Sequence, residues 1–481
     1  MTMDRKLDEF YTFMQGRRVA VLGVGISNRP LIRYIHALGA DITAFDALPE
    51  NDPVLSRTRA DFERDGIHIH WSVGENYLNE LPSGDFELIF RTPKMRPDVP
   101  ELRAAVARGA VLTSEMEVFM ELCPAKIFAV TGSDGKTTTT TLIAKILAEA
   151  GYRVHIGGNI GTPLLDRISD IRAEDMVVLE LSSFQLITMA RSADVAVVTN
   201  VTPNHLDVHR DYDEYISSKM NIFRNQSFMG RLVLNAENEI TRSMAEKSRG
   251  TVVFFAKNPE KEITPRPLAA IERATILAGS ISYVDGQTAT SVVRLDEILI
   301  PGMHNVENYL AATAAVIPYV RPEHIASVAK NFGGVEHRIE LVRMLDGVRY
   351  YNSSIDTSPN RTINTMRALE SRGEKGVLIA GGADKKCDYT GLGDAILRVC
   401  DRIVLCGANA PLIEESLQKE SEGRSYQVIT VDSYPEALER ARGMAHEGEI
   451  VILSPVGTSY DRFRHFEERG NLFKKLVSDL V

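Results

Sequence analysis

The residues best suited to chemistry surround a glycine-rich turn early in the middle third of the chain. The apolar run Ile127–Val130 predicts a buried strand that breaks at Thr131–Gly135, after which Lys136 and Thr137 open a predicted helix. Backbone N–H groups and the helix dipole attract an anion there, the lysine adds charge, and the threonine hydroxyl can reach Mg²⁺. The strict P-loop pattern requires a glycine where Val130 stands, so this is a shorter G-x-x-G-K-T form. The spacing predicts a phosphate-binding loop rather than a plain turn with a surface lysine.

A lysine in an apolar stripe is the second unusual feature. Tyr212, Ile216, Lys219 and Phe223 stand at i, i+4, i+7 and i+11, on one face of a predicted helix. A free ammonium in such a stripe is costly unless it is paired or neutralised. The pattern alone favours a lysine that snorkels to a nearby surface, and the alternative is a functional lysine with a depressed pKa. Both interpretations stay open at this point.

Polar residues also follow two predicted strands of the middle region. Glu180 ends the run at residues 175–181, Asn200 ends the run at 194–200, and His205 lies on the loop that follows. Ligands gather at the carboxyl ends of parallel strands, so these side chains should face the phosphate loop. Together with the Thr137 hydroxyl, Glu180 and His205 could supply oxygen and nitrogen ligands to Mg²⁺.

The alternation of apolar runs with helical patterns predicts an α/β fold of three domains, at residues 1–116, 117–334 and 335–481. The first begins with a strand–helix–strand unit whose glycines resemble a dinucleotide fingerprint, although Asn28 replaces the third glycine. A Rossmann-like fold without a dinucleotide is equally consistent with it. The glycine-rich stretch 157–161 is predicted to approach a ligand rather than to form a core element.

The last part of the chain carries five apolar runs that predict a third doubly wound unit. After the run that ends in Ser454-Pro455, Ser459 or Asp461 is predicted either to cap a helix or to contribute donors for a carboxylate. Short alternating runs at residues 231–300 predict peripheral strands.

Composition narrows the class of protein. The chain has 481 residues and a formal net charge of −10, which argues against a nucleic-acid partner. Its four cysteines form no C-x-x-C pair, the charged N-terminus lacks a signal-peptide core, and no apolar run approaches 18 residues. These features predict a soluble cytoplasmic protein without a membrane span.

Eight pieces of sequence, in order along nearly the whole chain, resemble the Mur ligases. They are TGSDGKTT, GGNIGTPL, LELSSFQL, TNVTPNHLD, the helix bearing Lys219, GMHNVENYLAA, EHRIE and SPVGTSYDRFRHFEERG. The third and the last of these are similar to the branch of the family that adds D-glutamate.

The resemblance implies three Rossmann-like or P-loop ATPase-like α/β domains and an ATP-dependent amide ligase. In this family the alanyl carboxylate of UDP-MurNAc-L-alanine attacks ATP to give an acyl phosphate, which the amine of D-glutamate then attacks. The resemblance also implies two Mg²⁺ ions, a monomer, and a CO₂-derived carbamate on Lys219.

Site residues are carried over from the family's motifs one by one, again as implied by the resemblance. Lys136, Glu180, His205 and Lys219 would be catalytic. The metal environment would comprise Thr137, Glu180, His205 and carbamylated Lys219. The ATP site would comprise Gly132, Ser133, Asp134, Gly135, Lys136, Thr137, Thr138, Thr139, Asn305, Asn308 and Arg338. The uridine-nucleotide site would comprise Ile26, Ser27, Asp46, Lys94, Asn159 and Ser182. The D-glutamate site would comprise Thr357, Lys385, Ser459, Tyr460 and Phe466.

Several positions depart from the family's pattern. Asp134 replaces a common asparagine in the phosphate loop, which brings an acidic group near the triphosphate unless it points to metal or solvent. Ser353 and Ile355 stand where an aspartate and a lysine are usual, and Asp356 is a possible substitute for that aspartate. Lys94 stands where glycine is usual, and we expect it to pair with the substrate pyrophosphate.

Two other functions compete with this interpretation. The first is another amide ligase of the Mur type or a folylpolyglutamate synthase-like enzyme, against which the Rossmann-like start and the Ser459–Phe466 segment argue. The second is a phosphate-binding switch without ligase chemistry, which would leave Glu180, His205 and Lys219 without a role.

Overall fold

Three sheets organise the chain. The structure, a computed structural model, describes residues 3–203, 208–258, 272–300, 302–384 and 387–481. All three sheets are wholly or mostly parallel and alternate with helices, which confirms the predicted α/β class.

The first sheet has five parallel strands in the order β3-β2-β1-β4-β5. Its strands are β1 Arg18–Leu22, β2 Asp41–Asp46, β3 His70–Val73, β4 Leu88–Arg91 and β5 Val111–Thr113. Its helices are α1 Met3–Met14, α2 Asn28–Ala37, α3 Pro53–Arg64, α4 Pro100–Ala107 and α5 Glu115–Leu122. The chain order reverses between β1 and β4, so the loops after these two strands flank the crevice where such sheets bind ligands.

The second sheet has nine strands in the order β14-β13-β12-β11-β10-β9-β6-β8-β7, in which β13 is antiparallel to both of its neighbours, β12 and β14. Its strands are β6 Lys126–Thr131, β7 Val154–Gly158, β8 Met176–Glu180, β9 Val195–Val198, β10 Arg231–Asn235, β11 Thr251–Ala256, β12 Arg273–Leu277, β13 Ser280–Asp285 and β14 Thr288–Arg294. Its α-helices are α6 Lys136–Glu149, α7 Ser183–Leu186, α8 Tyr212–Met220, α9 Glu239–Ser243, α10 Met303–Val316 and α11 Pro322–Asn331. Since β6 lies between β8 and β9, the ends of all three strands meet at one edge.

The third sheet has six strands in the order β15-β16-β20-β17-β18-β19, with only β15 antiparallel to its neighbour. Its strands are β15 Glu340–Leu345, β16 Val348–Asn352, β17 Gly376–Ala380, β18 Cys400–Leu405, β19 Gln427–Thr430 and β20 Ile450–Leu453. Its helices are α12 Pro359–Glu370, α13 Leu392–Leu397, α14 Ala410–Glu420, α15 Tyr434–Met444 and α16 Phe466–Ser478.

The chain separates into two compact units. One comprises residues 1–298 and 303–330 with the first two sheets, and the other comprises residues 299–302 and 331–481 with the third. A single buried apolar cluster includes Val21 and Ile35 of the first sheet layer together with Leu165 and Ala129 of the second. Continuous burial of this kind explains why the first two sheets belong to one unit.

Three local expectations were wrong. Residues 157 and 158 form the end of the edge strand β7 rather than a loop, and a Cβ on Gly158 would lie 2.1 Å from the backbone oxygen of Glu180. The close approach of Gly158 is therefore to β8, and the approach of residues 157–161 to a ligand stays a prediction. Neither Ser459 nor Asp461 caps the last helix, because α16 begins at Phe466 and its N-cap is His465. The apolar run at 298–300 forms no strand.

Within the part of the chain that the structure describes, no helix is long and apolar enough to cross a membrane.

Candidate active site

The phosphate loop joins the central strand β6 to the helix α6, as the sequence predicted. Gly132 has a φ of +152°, and a Cβ at that position would lie 1.9 Å from the Thr199 hydroxyl oxygen. Only glycine fits because the loop passes directly against the end of β9. Gly135 adopts a left-handed conformation just before the helix begins at Lys136.

The end of β9 fixes the backbone of the loop. The Ser133 N–H donates to the Asn200 carbonyl (2.9 Å), and the Asp134 N–H donates to the Asn200 side-chain oxygen (2.9 Å). The Thr199 hydroxyl donates to the Asp134 carbonyl (2.6 Å). The Asp134 side chain itself is exposed, so its carboxylate is free to turn away from an anion in the loop. Asn200 therefore serves the loop structurally, a role that sequence reasoning had not assigned.

Two lysines converge on one carbonyl of the loop. Lys136 donates to the carbonyls of Gly132 (3.1 Å) and Ser133 (2.9 Å), and Lys219 donates to the same Gly132 carbonyl (2.7 Å). Lys219 is 1% exposed, and its Nζ lies 4.5 Å from the centre of the Tyr215 ring. The snorkelling interpretation is therefore wrong.

Burial lowers the pKa of the Lys219 amine to about 7, with a further lowering by Lys136 and an opposing effect of Asp134. A substantial fraction of Lys219 is consequently uncharged at neutral pH. Tyr215 connects the same helix to the loop, since its hydroxyl lies 3.0 Å from the Ser133 hydroxyl.

Glu180 ends β8 beside the loop, in register with Val130 of β6. It is 2% exposed, and its Oε1 accepts a hydrogen bond from the Asn159 side-chain amide (2.9 Å). Its Oε2 is buried without a hydrogen-bond partner among the described residues. A buried carboxylate oxygen left in this state fits a cation ligand.

The structure gives less information about the other predicted metal ligands than about Glu180. Thr137 is partly exposed at the start of α6, and His205 lies outside the described residues. No group of three histidine, cysteine, aspartate or glutamate side chains converges on a metal position in the described ranges. The residues present fit an oxygen-liganded cation at Glu180, and the full ligand set stays a prediction.

The ATP-side asparagines lie at the start of α10, against α6. The Thr139 hydroxyl donates to Asn308 Oδ1 (3.3 Å), and the Asn308 amide donates to Asn305 Oδ1 (3.4 Å). Thr138 is partly exposed. A cavity of about 120 Å³ opens here beside Asp134 and Gly135, and sequence reasoning had missed that Phe255 and His304 line it. The sequence signal for this wall of the cavity was the aromatic residue Phe255 near the end of the buried strand β11.

The predicted uridine-nucleotide residues belong to the same unit as the phosphate loop. Ile26 is 83% exposed, and Lys94 and Asn159 are also exposed. The Asp46 carboxylate accepts N–H bonds from Val24 (2.7 Å) and Leu48 (3.1 Å), so it holds the turn after β1.

Two more of these residues also have structural contacts. Ser27 is partly exposed just before α2. Ser182 caps α7 through a reciprocal pair of bonds with Gln185. A substrate contact at Ser182 would therefore share the side chain with a helix cap.

The predicted amino-acid residues belong to the other unit. Ser459 is 2% exposed and Tyr460 is 73% exposed, while Thr357 is partly exposed. Arg338, which was predicted for the ATP site, also belongs to this unit and is exposed. Phe466 meets the buried His337 ring edge-on, with centroids 5.9 Å apart. Lys385 lies outside the described residues.

Asp356, the predicted substitute for the missing aspartate, is buried next to Ser454. It is 4% exposed, and its Oδ2 accepts a hydrogen bond from the Ser454 hydroxyl (2.7 Å). Burial raises the pKa of its carboxyl. An ATP contact from this residue stays a prediction.

A glycine loop between a central parallel strand and a helix, closed by Lys-Thr, is typical of phosphate-binding α/β proteins. Two family models match the chain: the Mur ligase middle domain over residues 130–316 and the Mur ligase glutamate ligase domain over residues 337–457. The chain belongs to the Mur ligase family.

Full-length relatives support that assignment. The UDP-N-acetylmuramoylalanine–D-glutamate ligase of Ruminiclostridium cellulolyticum is 49% identical, and that of Acetivibrio thermocellus is 50% identical. Each alignment covers 99% of this chain and 100% of the relative.

Solved structures agree on the fold. The UDP-N-acetylmuramate–alanine ligase of Thermotoga maritima is 19% identical with a TM-score of 0.51, over 96% of this chain and 99% of that one. A UDP-N-acetylmuramoyl-L-alanyl-D-glutamate–2,6-diaminopimelate ligase is 16% identical with a TM-score of 0.52, over 97% and 93%.

Proposed function

We propose that this protein is an ATP-dependent ligase that adds D-glutamate to UDP-N-acetylmuramoyl-L-alanine, a cytoplasmic step of peptidoglycan precursor synthesis. The observation that carries the proposal is the phosphate loop with two lysines on its Gly132 carbonyl and Glu180 at the adjoining strand end. The names of the full-length relatives select the amino acid and the nucleotide substrate.

Phosphoryl transfer is the first step. The phosphates of ATP lie along Gly132 to Thr139, and Lys136 neutralises charge on the transferring γ-phosphoryl group. An oxygen of the alanyl carboxylate forms the new bond to the γ-phosphorus while the bond to the ADP oxygen breaks. The product is an acyl phosphate.

Amide formation is the second step. The nitrogen of D-glutamate attacks the acyl carbon, the tetrahedral intermediate loses inorganic phosphate, and the nitrogen loses a proton. Water must be kept from the acyl phosphate until the amine attacks. Thr357, Lys385, Ser459, Tyr460 and Phe466 would bind D-glutamate, and Arg338 would contact ATP.

Thr137, Glu180, His205 and Lys219 would hold two Mg²⁺ ions, which supply charge neutralisation for the phosphates. We propose that Lys219 is carbamylated. Its Nζ would form a bond to the carbon of CO₂ and lose a proton, giving an anionic oxygen group in place of a buried ammonium. The lowered pKa supports this step, because the reacting form is the free amine.

We also propose the division of the chain into three domains: a Rossmann-like domain at 1–116 for the uridine nucleotide, a P-loop ATPase-like domain at 117–334, and a Rossmann-like domain at 335–481 for the amino acid. Ile26, Ser27, Asp46, Lys94, Asn159 and Ser182 would form the nucleotide site. We expect a monomer.

The deciding experiment measures phosphate release with ATP, Mg²⁺ and UDP-MurNAc-L-alanine, offering D-glutamate, L-glutamate, D-alanine or lysine. Release with D-glutamate alone is expected. Lys136→Ala should abolish it, whereas Lys145→Ala, on the exposed side of the same helix α6, should not. Absence of release with D-glutamate in the unaltered protein contradicts the proposal.

A further inference from the structure

A buried arginine that is hydrogen-bonded to carbonyls and a hydroxyl lies at the end of β4. Arg91 is 1% exposed, and its guanidinium donates to four carbonyls and one hydroxyl, while the Glu117 carboxylate acts on its charge through space. Arginine is rarely buried in this way, because removing its charge from water is costly unless the guanidinium is well hydrogen-bonded. Its bonds therefore identify what the residue is for.

One nitrogen of Arg91 is hydrogen-bonded to three carbonyls of the loop that follows β4. Nη1 donates to the carbonyls of Thr92 (3.1 Å), Pro93 (3.1 Å) and Met95 (2.5 Å). Three carbonyls of one short loop are thus turned towards the guanidinium. Lys94, in the middle of the same loop, is exposed.

The other nitrogen connects this loop to the second sheet. Nη2 donates to the carbonyl of Phe184 (2.9 Å) and to the hydroxyl of Thr188 (3.2 Å). Phe184 belongs to α7, which follows Ser182. One side chain therefore sets the Lys94 loop against the segment that carries Ser182.

The charge of Arg91 is retained. Burial lowers its pKa to about 10, so the guanidinium stays protonated at neutral pH. Carbonyl dipoles solvate this charge and the Glu117 carboxylate stabilises it, and the field of the guanidinium still reaches the loop whose carbonyls it binds. The loop also lies beside the turn after β1, since the Thr92 N–H donates to the Leu22 carbonyl (3.1 Å).

We propose that Arg91 is a positioning residue for the diphosphate of the nucleotide substrate: it orients the Lys94 loop and makes the surface of that loop attractive to an anion. This inference rests on the proposed function. A purely structural role for Arg91, joining two sheets of one unit, predicts lower stability with no selective effect on one substrate.

Arg469 offers a matched comparison in the other unit. It is 0% exposed, and it donates to the carbonyls of Ser354 (3.0 Å), Gly457 (3.2 Å) and Thr458 (3.3 Å). It holds the segment before Ser459, in the proposed amino-acid site. The same substitution at Arg469 should therefore affect a different substrate.

The test measures binding of UDP-MurNAc-L-alanine by calorimetry without ATP, for the unaltered protein, Arg91→Lys, Lys94→Ala and the double variant. Lysine keeps the charge but loses the fork of donors, so Arg91→Lys should weaken binding about ten-fold. The double variant should have about the same affinity for UDP-MurNAc-L-alanine as the single variant with the lower affinity, because both changes act on one contact. Binding of an ATP analogue should stay within about two-fold.

Two further variants keep the test decisive if Arg91→Lys folds poorly. Thr188→Val removes one partner of the guanidinium at nearly constant volume and should weaken nucleotide-substrate binding about three-fold. Arg469→Lys should leave that binding unchanged and raise the KM for D-glutamate.

Three results would overturn the role of Arg91. One is unchanged binding of UDP-MurNAc-L-alanine in both Arg91→Lys and Thr188→Val, and another is equal weakening of UDP-MurNAc-L-alanine and ATP-analogue binding. The third is a double variant whose loss of binding free energy equals the sum of the losses in Arg91→Lys and Lys94→Ala. Failure of the unaltered protein to bind UDP-MurNAc-L-alanine contradicts the proposed function itself.

Discussion

At the scale of single residues, two lysines donate to the Gly132 carbonyl, and one of them, Lys219, is buried. Burial lowers the pKa of Lys219 to about 7, and the charge of Lys136 lowers it further. The stripe of apolar residues showed that Lys219 is unusual but favoured snorkelling. Its hydrogen-bond acceptor comes from 87 residues earlier in the chain, which no helical pattern can reveal.

Replacement of Lys219 tests the proposed carbamate. Lys219→Ala should lower kcat about 100-fold, because it removes a group that would hold a metal ion. Acetate or another short carboxylic acid should restore part of the activity, measured as phosphate release, by filling the space with a carboxylate. Tyr215→Phe is the matched control on the same helix and should not respond to acetate. An unaffected Lys219→Ala protein, or one that acetate does not help, contradicts the carbamate.

Replacement of Lys94 tests the proposed pyrophosphate contact. The side chain is exposed on the loop held by Arg91, so its ion pair with a ligand would be partly screened. Lys94→Ala should raise the KM for UDP-MurNAc-L-alanine about five-fold while kcat and the KM for ATP stay unchanged. Steady-state kinetics at two salt concentrations check this, since the difference from the unaltered protein should shrink as salt rises. An unchanged KM counts against the contact.

At the scale of elements, most strands with a continuous apolar run were predictable, including the edge strands β5 and β19, whereas the edge strands β3, β7 and β15 were missed. β6, β8, β9 and β20 are buried on both faces, which produces continuous apolar runs. The missed strand β3, with the sequence HWSV, is largely half-exposed and carries no such run. β15 was missed because it is an antiparallel edge strand, and β7 because it ends in two glycines.

The part of the candidate site that is local in sequence was predictable, and the part that depends on distant segments was not. The phosphate loop is local in sequence, so its strand, glycines and helix start could be found from spacing alone. Asn200, Arg91 and the cavity wall at Phe255 act through contacts between distant segments. Their residue types are ordinary, and only the fold brings them to the site.

The start of α5 contains a buried carboxyl that should make stability depend on pH. Glu115 is 6% exposed, its Oε1 accepts an N–H bond from Leu165 (3.2 Å), and burial raises its pKa from 4.5 to about 7. Between these values the unfolded chain ionises while the folded protein stays protonated, so stability falls as pH rises towards 7. The loss stays present at higher pH.

Glu115→Gln should remove this loss, because the amide stays neutral. The variant should be more stable than the unaltered protein by up to about 3 kcal/mol at pH 8, and equally stable near pH 4.5. Urea unfolding at the two pH values measures the difference. Glu174→Gln, at an exposed position, is the control and should show no such dependence. Equal stabilities of the Glu115→Gln and unaltered proteins at pH 8 would contradict the prediction.

At the scale of the whole molecule, the distribution of buried apolar residues predicts which pieces of the chain fold alone. Residues 331–481 have their own six-stranded sheet with a buried apolar cluster on each of two faces, formed by side chains such as Ile403 and Val404. Residues 1–116 share a cluster with the second sheet, in which Leu31 and Ile35 of α2 lie with Leu165 and Ile168. A fragment 1–116 would expose that shared apolar surface.

Expression of the two fragments tests this difference and the proposed three-domain division together. Fragment 331–481 should unfold in one cooperative thermal transition, because its core is complete except for the short segment 299–302. Fragment 1–116 should be clearly less stable and should bind a hydrophobic dye, since apolar side chains of α2 lose their cover. Fragment 1–330 is the matched control and should regain cooperativity. A cooperative, dye-silent fragment 1–116 would instead favour three independently folding domains, and a fragment 331–481 without a transition would contradict the assignment of a separate core to the third sheet.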